Sequence, residues 1–314
     1  MTTVTTTVQE SFSTYVDEKR QQAVGSPQLE RIAADDPATT HTRVVELVRR
    51  DGGVVITGLI DPEHTSRIRK ELQPAFDADV PDKSGFFPTT TRRATGLLGI
   101  SDGCVDLATN KLWIDTANEI LTSECRPWYG EKRAHFVSKP ILAGTFGFQI
   151  GPGSRQQDLH RDDSDYHLPR GLDSCMLGML VALTKTTEQN GATLVVPRSH
   201  LWGEERAPKN EEAIAVELEP GDGLIFGGNV FHAGGSNKTK DEIREVVGLF
   251  MCKGFMRPEE NHWLAVPPEK AKRLSPQVQR LLGYGISPPA VGFYRYKDPM
   301  QVLFNVEDEE TVQL

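Results

Sequence analysis

The eleven residues "QDLHRDDSDYH" (157–167) hold two histidines and four aspartates. Inside them, His160-Arg161-Asp162 is an HxD triplet. In an extended segment, residues two apart point to the same side, so an imidazole and a carboxylate can converge on one ion. Two histidines and one carboxylate on one face of an octahedron suit Fe(II) and leave the open positions that oxygen chemistry needs. The second histidine has to come from elsewhere in the chain. The triplet alone is a weak signal, because most acidic stretches of this kind are solvated turns.

His232 is the best placed of the other histidines. In "PGDGLIFGGNVFHAGGSN" it follows a short buried strand and precedes Gly234 and Gly235, where the backbone can pass close to a ligand. Twelve residues later, Arg244 heads the apolar strand "VVGLF". An arginine there can hold a carboxylate through two parallel hydrogen bonds. The spacing points to a metal chelated by a small diacid whose far carboxylate Arg244 clamps. Asp163 and Asp165 read as exposed loop carboxylates, His167 as a residue of the site's lip, and His200 in "PRSH" as a turn support. His135 and His262 either line the pocket or pack conventionally. The two methionines of "MLGMLVALT" read as core.

The elements that must position these residues follow from periodicity. "SPQLERIAAD" reads as a first short helix, with Ser26 as cap and Pro27 in the first turn. "TTHTRVVELVRRDGG" places Val44, Val45, Leu47 and Val48 at helical spacing and stops at Gly52. "VVITGLI" reads as a strand, "DPEHTSRIRKELQPAF" as a helix capped by Asp61, and "NKLWIDTANEILTSEC" as another helix. From about residue 134 the texture changes to short Val, Leu, Phe and Ile runs between Gly, Pro and Asn turns, the pattern of a β-sandwich or barrel. "PPEKAKRLSPQVQRLLGYG" reads as a late helix ended by Gly283. The layout is mostly β with flanking helices in a single domain over 26–304, with a helical N-terminal part and a β core over about 134–256. A disordered N-terminal tail (1–25) precedes it and an acidic tail (305–314) follows it.

Composition removes several classes. The 314 residues carry a net charge of −9, which speaks against nucleic-acid binding. No run of eighteen apolar residues offers a membrane span, and the N-terminus lacks the basic start and apolar stretch of a signal peptide. The four cysteines are scattered without CxxC spacing, as expected of reduced thiols in a cytoplasmic protein.

The chain resembles the phytanoyl-CoA dioxygenase family of Fe(II)- and 2-oxoglutarate-dependent oxygenases, above all its fungal secondary-metabolite branch. The motifs that carry the resemblance are "RRDGGVVITGLI", "TRRATGLL", "QDLHRDD", "NGATLVVPRSHLW", "PGDGLIFGGNVFHAGGSN" and "REVVGLF", in the family's order over roughly 45 to 255. The resemblance implies a double-stranded β-helix, a jelly-roll and cupin relative. It implies Fe(II) on His160, Asp162 and His232, with 2-oxoglutarate and O2 as cosubstrates. Arg244 stands where the family's arginine binds the distal carboxylate of 2-oxoglutarate. Gln157, Thr193 and Arg93 match further positions facing the cosubstrate. The implied reaction is hydroxylation, desaturation or oxidative rearrangement of a lipophilic small molecule such as a meroterpenoid, polyketide or alkaloid intermediate. A homodimer is implied as well. Phe250 stands near the place where one fungal relative carries a tyrosine, and phenylalanine cannot donate a hydrogen atom. Other readings are an acyl-CoA hydroxylase of the phytanoyl-CoA type, a cupin-like metal-dependent isomerase, and a binding module without catalysis.

Overall fold

A computed structural model describes residues 28–81, 87–168 and 174–313. The expected N-terminal tail lies outside these residues, as do Ser26 and Pro27. In chain order the strands are β1 (Arg31–Ala33), β2 (Gly53–Thr57), β3 (Thr91–Thr95), β4 (Ser123–Cys125), β5 (Trp128–Tyr129), β6 (Lys132–Arg133) and β7 (Phe136–Ser138). They continue with β8 (Ile141–Ile150), β9 (Met176–Ala182), β10 (Thr193–Val195), β11 (Ile214–Val216), β12 (Gly223–Gly227), β13 (His232–Gly234) and β14 (Arg244–Cys252). The N-terminal helices are α1 (His41–Asp51), α2 (Pro62–Ala78), α3 (Leu97–Ile100), α4 (Asp102–Ala108) and α5 (Lys111–Leu121).

The helix signals in the sequence act locally. The Thr40 side chain accepts from Arg43 N at the start of α1, and Gly52 ends the helix with φ 91°. Asp61 caps α2 with Pro62 in its first turn, and Asn110 caps α5. Short connections then bring these helices back onto one sheet.

That sheet has seven strands in the order β1-β2-β12-β9-β14-β8-β3. A smaller sheet, β11-β10-β13, faces it. The two faces of the large sheet bury different things. Val54, Ile56, Met179, Val181, Val247 and Leu249 join α1, α2 and α5 in one cluster through Leu47, Ile68, Leu72, Phe76 and Trp113. Val55, Leu224, Phe226 and Phe250 turn the other way and meet Val195, Val216 and Leu218 of the smaller sheet and its flanks. All nine residues of β14 are buried. Coverage on both faces explains why the strands read as continuous apolar runs and not as alternating ones. Among the described residues no helix is long and apolar enough to cross a membrane.

Two helix expectations are corrected. "RIA" in "SPQLERIAAD" is β1, paired parallel with β2. A helix this short is marginal by itself, and the open edge of β2 offers its backbone a full set of partners. The single late helix is two, Pro268–Ala271 and Pro276–Leu281. Pro276 bars helical geometry at Ser275, whose ψ of 155° is extended, and starts a new helix instead. The acidic C-terminal segment is held by Arg280–Asp308 and Lys139–Glu310 ion pairs and by Val312 N donating to Asp298.

Candidate metal centre

His232 opens β13, opposite Val195 of β10. His160 forms an antiparallel bridge to it: each backbone N–H donates to the other's carbonyl at 2.9 Å. Arg161 is extended (φ −122°, ψ 127°), and Asp162 begins the short 3-10 turn Asp162–Tyr166. These backbones bring three side chains together. His160 Nε2 lies 3.5 Å from Asp162 Oδ1, and His232 Nε2 lies 3.4 Å from Asp162 Oδ2. One ligand atom from each residue falls within 4.8 Å of the others.

The hydrogen bonds around the rings settle their tautomers. His160 Nδ1 is 2.8 Å from the Asp158 carbonyl, and His232 Nδ1 is 3.1 Å from the Val230 carbonyl. A carbonyl only accepts, so both Nδ1 atoms carry the proton and both Nε2 atoms present a lone pair in the neutral rings. Burial holds the His232 imidazole below its ordinary value, against the opposing pull of Asp162, and keeps it neutral. Asp162 Oδ2 is buried without a hydrogen-bond partner. With the rings neutral, two lone pairs and a carboxylate therefore face one another with no proton among them. A cation resolves this arrangement, and the donor set fits a non-haem iron.

The triad is braced from behind. Arg161, buried between the two ligand residues, lies 4.0 Å over the Phe231 ring and donates to the Ser199 carbonyl at 2.6 Å. Ser199 Oγ accepts from Phe231 N at 2.8 Å, and Phe231 leads directly into His232. One guanidinium thus ties the His160–Asp162 segment to the His232 segment. The "PRSH" turn is part of this brace: His200 Nε2 donates to the Arg49 carbonyl at 3.0 Å, as expected of a turn support. Arg161→Met is expected to weaken Fe(II) or Co(II) binding about 10- to 100-fold, the usual effect of losing a group that orients metal ligands. Equilibrium titration with either ion checks this.

The other candidates take different places. Arg244 opens β14, and cross-strand pairing puts it on the inner face with Ile150 of β8. Its side chain is buried, its Nε has no hydrogen-bond partner, and no carboxylate among the described residues pairs with it. Burial pushes its guanidinium down to about 10. Thr193 sits opposite Gly234, one row from His232 on the inner face of the small sheet. Gln157 lies on the rim, where its Oε1 accepts from Gly234 N at 2.8 Å. Arg93 shares a row with Phe148 and Val246 on the inner face of the large sheet. Its guanidinium bonds Asp79 at 3.1 and 3.2 Å and lies 5.1 Å over Phe87. Gly234 and Gly235 do allow close approach, but what approaches is the chain itself. A Cβ on Gly235 would stand 2.5 Å from the Ala192 carbonyl oxygen, and one on Gly234 would stand 2.8 Å from Gln157 Oε1.

Asp163 corrects an expectation: it is buried, with its backbone N–H on the Gly228 carbonyl, while Asp165 and His167 are exposed. His135 is exposed and pairs with Glu124, whereas His262 is buried 3.3 Å from Glu260. Cys104, Cys175 and Cys252 are buried thiols; Cys125 is exposed.

Sequence reasoning missed two acids in the loop after β14. Glu260 pins the loop to β8 and the start of α3 by accepting from Thr145 N, Thr145 Oγ1 and Gly96 N. Glu259 lines a cavity of about 810 Å³ that touches none of the triad residues. The outer side of Glu259 is open to solvent, yet desolvation of its carboxyl, with Asp162 and Asp165 adding, pushes it up to about 7. A cation on the triad would offset the Asp162 contribution. A smaller cavity, about 490 Å³, is lined by Gln157, Asp158 and Leu159, which precede His160 in the chain, and by no triad residue. The chemistry identifies the site here better than cavity size does. No motif in the sequence marks Glu259; only the charge of Asp162 acting on its carboxyl does.

Comparison with known proteins agrees with this geometry. The sequence pattern described as phytanoyl-CoA dioxygenase (PhyH) matches residues 48–246. The chain is 34% identical to Dioxygenase peniF of Penicillium patulum over 286 residues, covering 88% of this chain and 92% of that protein. It is 32% identical to Dioxygenase swnH1 of Metarhizium robertsii over 280 residues, 86% of this chain and 91% of that one. Among solved structures, the non-heme alpha ketoglutarate dependent carbocyclase SnoK from nogalamycin biosynthesis superposes with a TM-score of 0.54. Its sequence identity is 17%, and the superposition covers 76% of this chain and 94% of that one. The alpha ketoglutarate dependent epimerase SnoN gives 0.53 at 22% identity, over 71% and 87%. At these identities the two structures speak for the fold, while the sequence matches speak for descent, and by them the chain belongs to the phytanoyl-CoA dioxygenase family.

Proposed function

We propose that this dioxygenase holds Fe(II) on His160, Asp162 and His232, and 2-oxoglutarate through Arg244, and uses O2 to oxidise a lipophilic secondary metabolite. The observation that carries this is the convergence of two Nε2 lone pairs and a carboxylate with no proton between them. Arg244 supplies the second half: a buried guanidinium with no carboxylate of its own among the described residues. The secondary-metabolite reading draws on the resemblance to the family's fungal branch, supported by the sequence matches to the fungal dioxygenases peniF and swnH1.

Iron and 2-oxoglutarate, when bound, supply the oxidation, with the cosubstrate converted to succinate and CO2. The chain's own residues do the rest. The Nδ1–H bonds to the Asp158 and Val230 carbonyls fix both rings, and the Arg161 brace keeps the two ligand segments in register. Arg244 orients the cosubstrate through its distal carboxylate. Thr193 and Gln157 flank it from the small sheet and the rim, and Arg93 stands on the inner face above Phe148. Phe226 and Phe250 exclude water from the inner side of the site. We read the two facing sheets as a double-stranded β-helix and residues 26–304 as one oxygenase domain, because α1, α2 and α5 share a cluster with the large sheet. Asp162 supplies the carboxylate that a halide would otherwise replace, so hydroxylation, desaturation or rearrangement is the expected outcome.

Purified protein loaded with Fe(II) is expected to bind one 2-oxoglutarate and to form succinate slowly without substrate, only when O2 is present. Absence of 2-oxoglutarate binding would sink the reading. Turnover that proceeds equally well without O2 would favour a metal-dependent isomerase.

A further inference from the structure

The cavity of about 810 Å³ lies apart from the metal ligands, at the end of the large sheet where β14 runs out. Met251 of β14, Leu281 and Leu282 at the end of the Pro276–Leu281 helix, and Ile286 give it a buried apolar floor. Its rim is apolar too. Phe255 and Trp263 line it and are 46% and 52% exposed. Single exposed apolar side chains are ordinary, but two large rings left in water around one apolar cavity mark a surface that takes a ligand.

Most charged groups around this cavity already have partners. Lys139 meets Glu310 at 2.8 Å, and Arg280 meets Asp308 and Glu310. Glu260 accepts from Thr145 and from Gly96 N. Arg257 and Glu309 are exposed, where water screens their charge. Glu259 differs from all of these. Among the described residues it has neither a hydrogen bond nor an ion pair, and Arg257, two positions before it, does nothing to favour its ionisation. The chain around its carboxyl desolvates it, and Asp162 and Asp165 add negative potential, which together push it up to about 7. A desolvated carboxylate in a negative field is costly until a cation meets it. The cavity is the side from which one can arrive.

We infer that this cavity is a binding site for a lipophilic ammonium ion, with the charge met by Glu259 and the apolar body held on the floor beneath Phe255 and Trp263. The two rings suit the same guest, because the face of an aromatic ring attracts a cation. A neutral guest leaves Glu259 unmatched, and an anionic one adds to the repulsion from Asp162 and Asp165. No triad residue lines the cavity, so the site stands whether or not iron is held nearby. That the bound amine is itself the compound oxidised rests on the oxygenase reading; that it binds does not.

The test uses the full chain at pH 8, where the Glu259 carboxyl is ionised, both metal-free and loaded anaerobically with Fe(II). Calorimetric titration compares 4-phenylbutylamine with 4-phenylbutan-1-ol, a cation and a neutral alcohol on one carbon skeleton. The amine is expected to bind about tenfold tighter in both samples. Glu259→Gln keeps the shape, removes the charge and is expected to abolish that preference; Glu259→Lys is expected to reverse it. Equal affinities in the unaltered protein, or a preference that survives either variant, would overturn the inference. So would a preference seen only with Fe(II), since the amine would then be a ligand of the metal. Succinate formation in air separates the two sources of such a guest. Acceleration by the amine, lost in Glu259→Gln, assigns the ammonium to the oxidised substrate, whereas binding without acceleration assigns it to a separate small molecule of the same chemistry. An amine preference that persists where 2-oxoglutarate fails to bind supports the site and removes only the oxygenase reading.

Discussion

Asp162→Ala is expected to abolish iron binding while the protein stays folded. The carboxylate is the only acidic member of the triad, and it sits between two imidazoles whose Nε2 atoms lie 3.5 and 3.4 Å away. Losing a group that merely orients a ligand costs about 10- to 100-fold in metal affinity, so losing the charged ligand itself is expected to cost at least about 100-fold. Stability should change by no more than about 1 kcal/mol, because Asp162 belongs to neither hydrophobic cluster and its Oδ2 makes no hydrogen bond. Without metal, its removal even relieves the facing of acceptor against acceptor. The measurements are metal stoichiometry after anaerobic loading and a denaturant curve on the same sample. Full iron content in the variant would place the metal elsewhere. Loss of iron together with loss of folding would mean that Asp162 is structural.

Arg244→Met is expected to act in two opposite directions. A buried guanidinium without a counter-ion is costly, and burial has already pulled its ionisation down to about 10. Replacing it with an apolar side chain of similar length is expected to stabilise the unliganded protein by about 1–3 kcal/mol. The same change removes two charge-assisted hydrogen bonds to the cosubstrate, worth about 1.5–3 kcal/mol each. Affinity for 2-oxoglutarate should therefore fall by about 10²- to 10⁴-fold, with Fe(II) binding retained. Arg244→Lys keeps the charge but loses the fork geometry, and is expected to fall in between. Thermal unfolding and 2-oxoglutarate titration read the two effects separately. A less stable Arg244→Met protein that still binds 2-oxoglutarate normally would show that the guanidinium serves the fold and not the ligand.

Much of the scaffold was legible because its signals are local. Thr40, Asp61 and Asn110 cap helices within three residues of where the pattern starts, and Gly52 stops α1 through its own positive φ. The failures were places where a distant partner outbid the local preference. "RIA" became a strand because β2 offered an edge, and Asp163 went inside because the turn after Asp162 folds back on Gly228. Arg161 could not be picked out at all, since its partners Ser199 and Phe231 lie 38 and 70 positions away.

The sequence by itself determined the chemistry on offer. An HxD, a later histidine before a glycine pair and an arginine twelve residues on are a matter of residue type and spacing, and the family pattern follows the same order. Tertiary structure decided what those residues can do. The His160–His232 bridge sets both rings on one side, and backbone carbonyls choose their tautomers. Donor identity is a property of side chains, but convergence and burial are properties of pairing between segments far apart in sequence. That pairing is set by which faces the packed sheets can bury together.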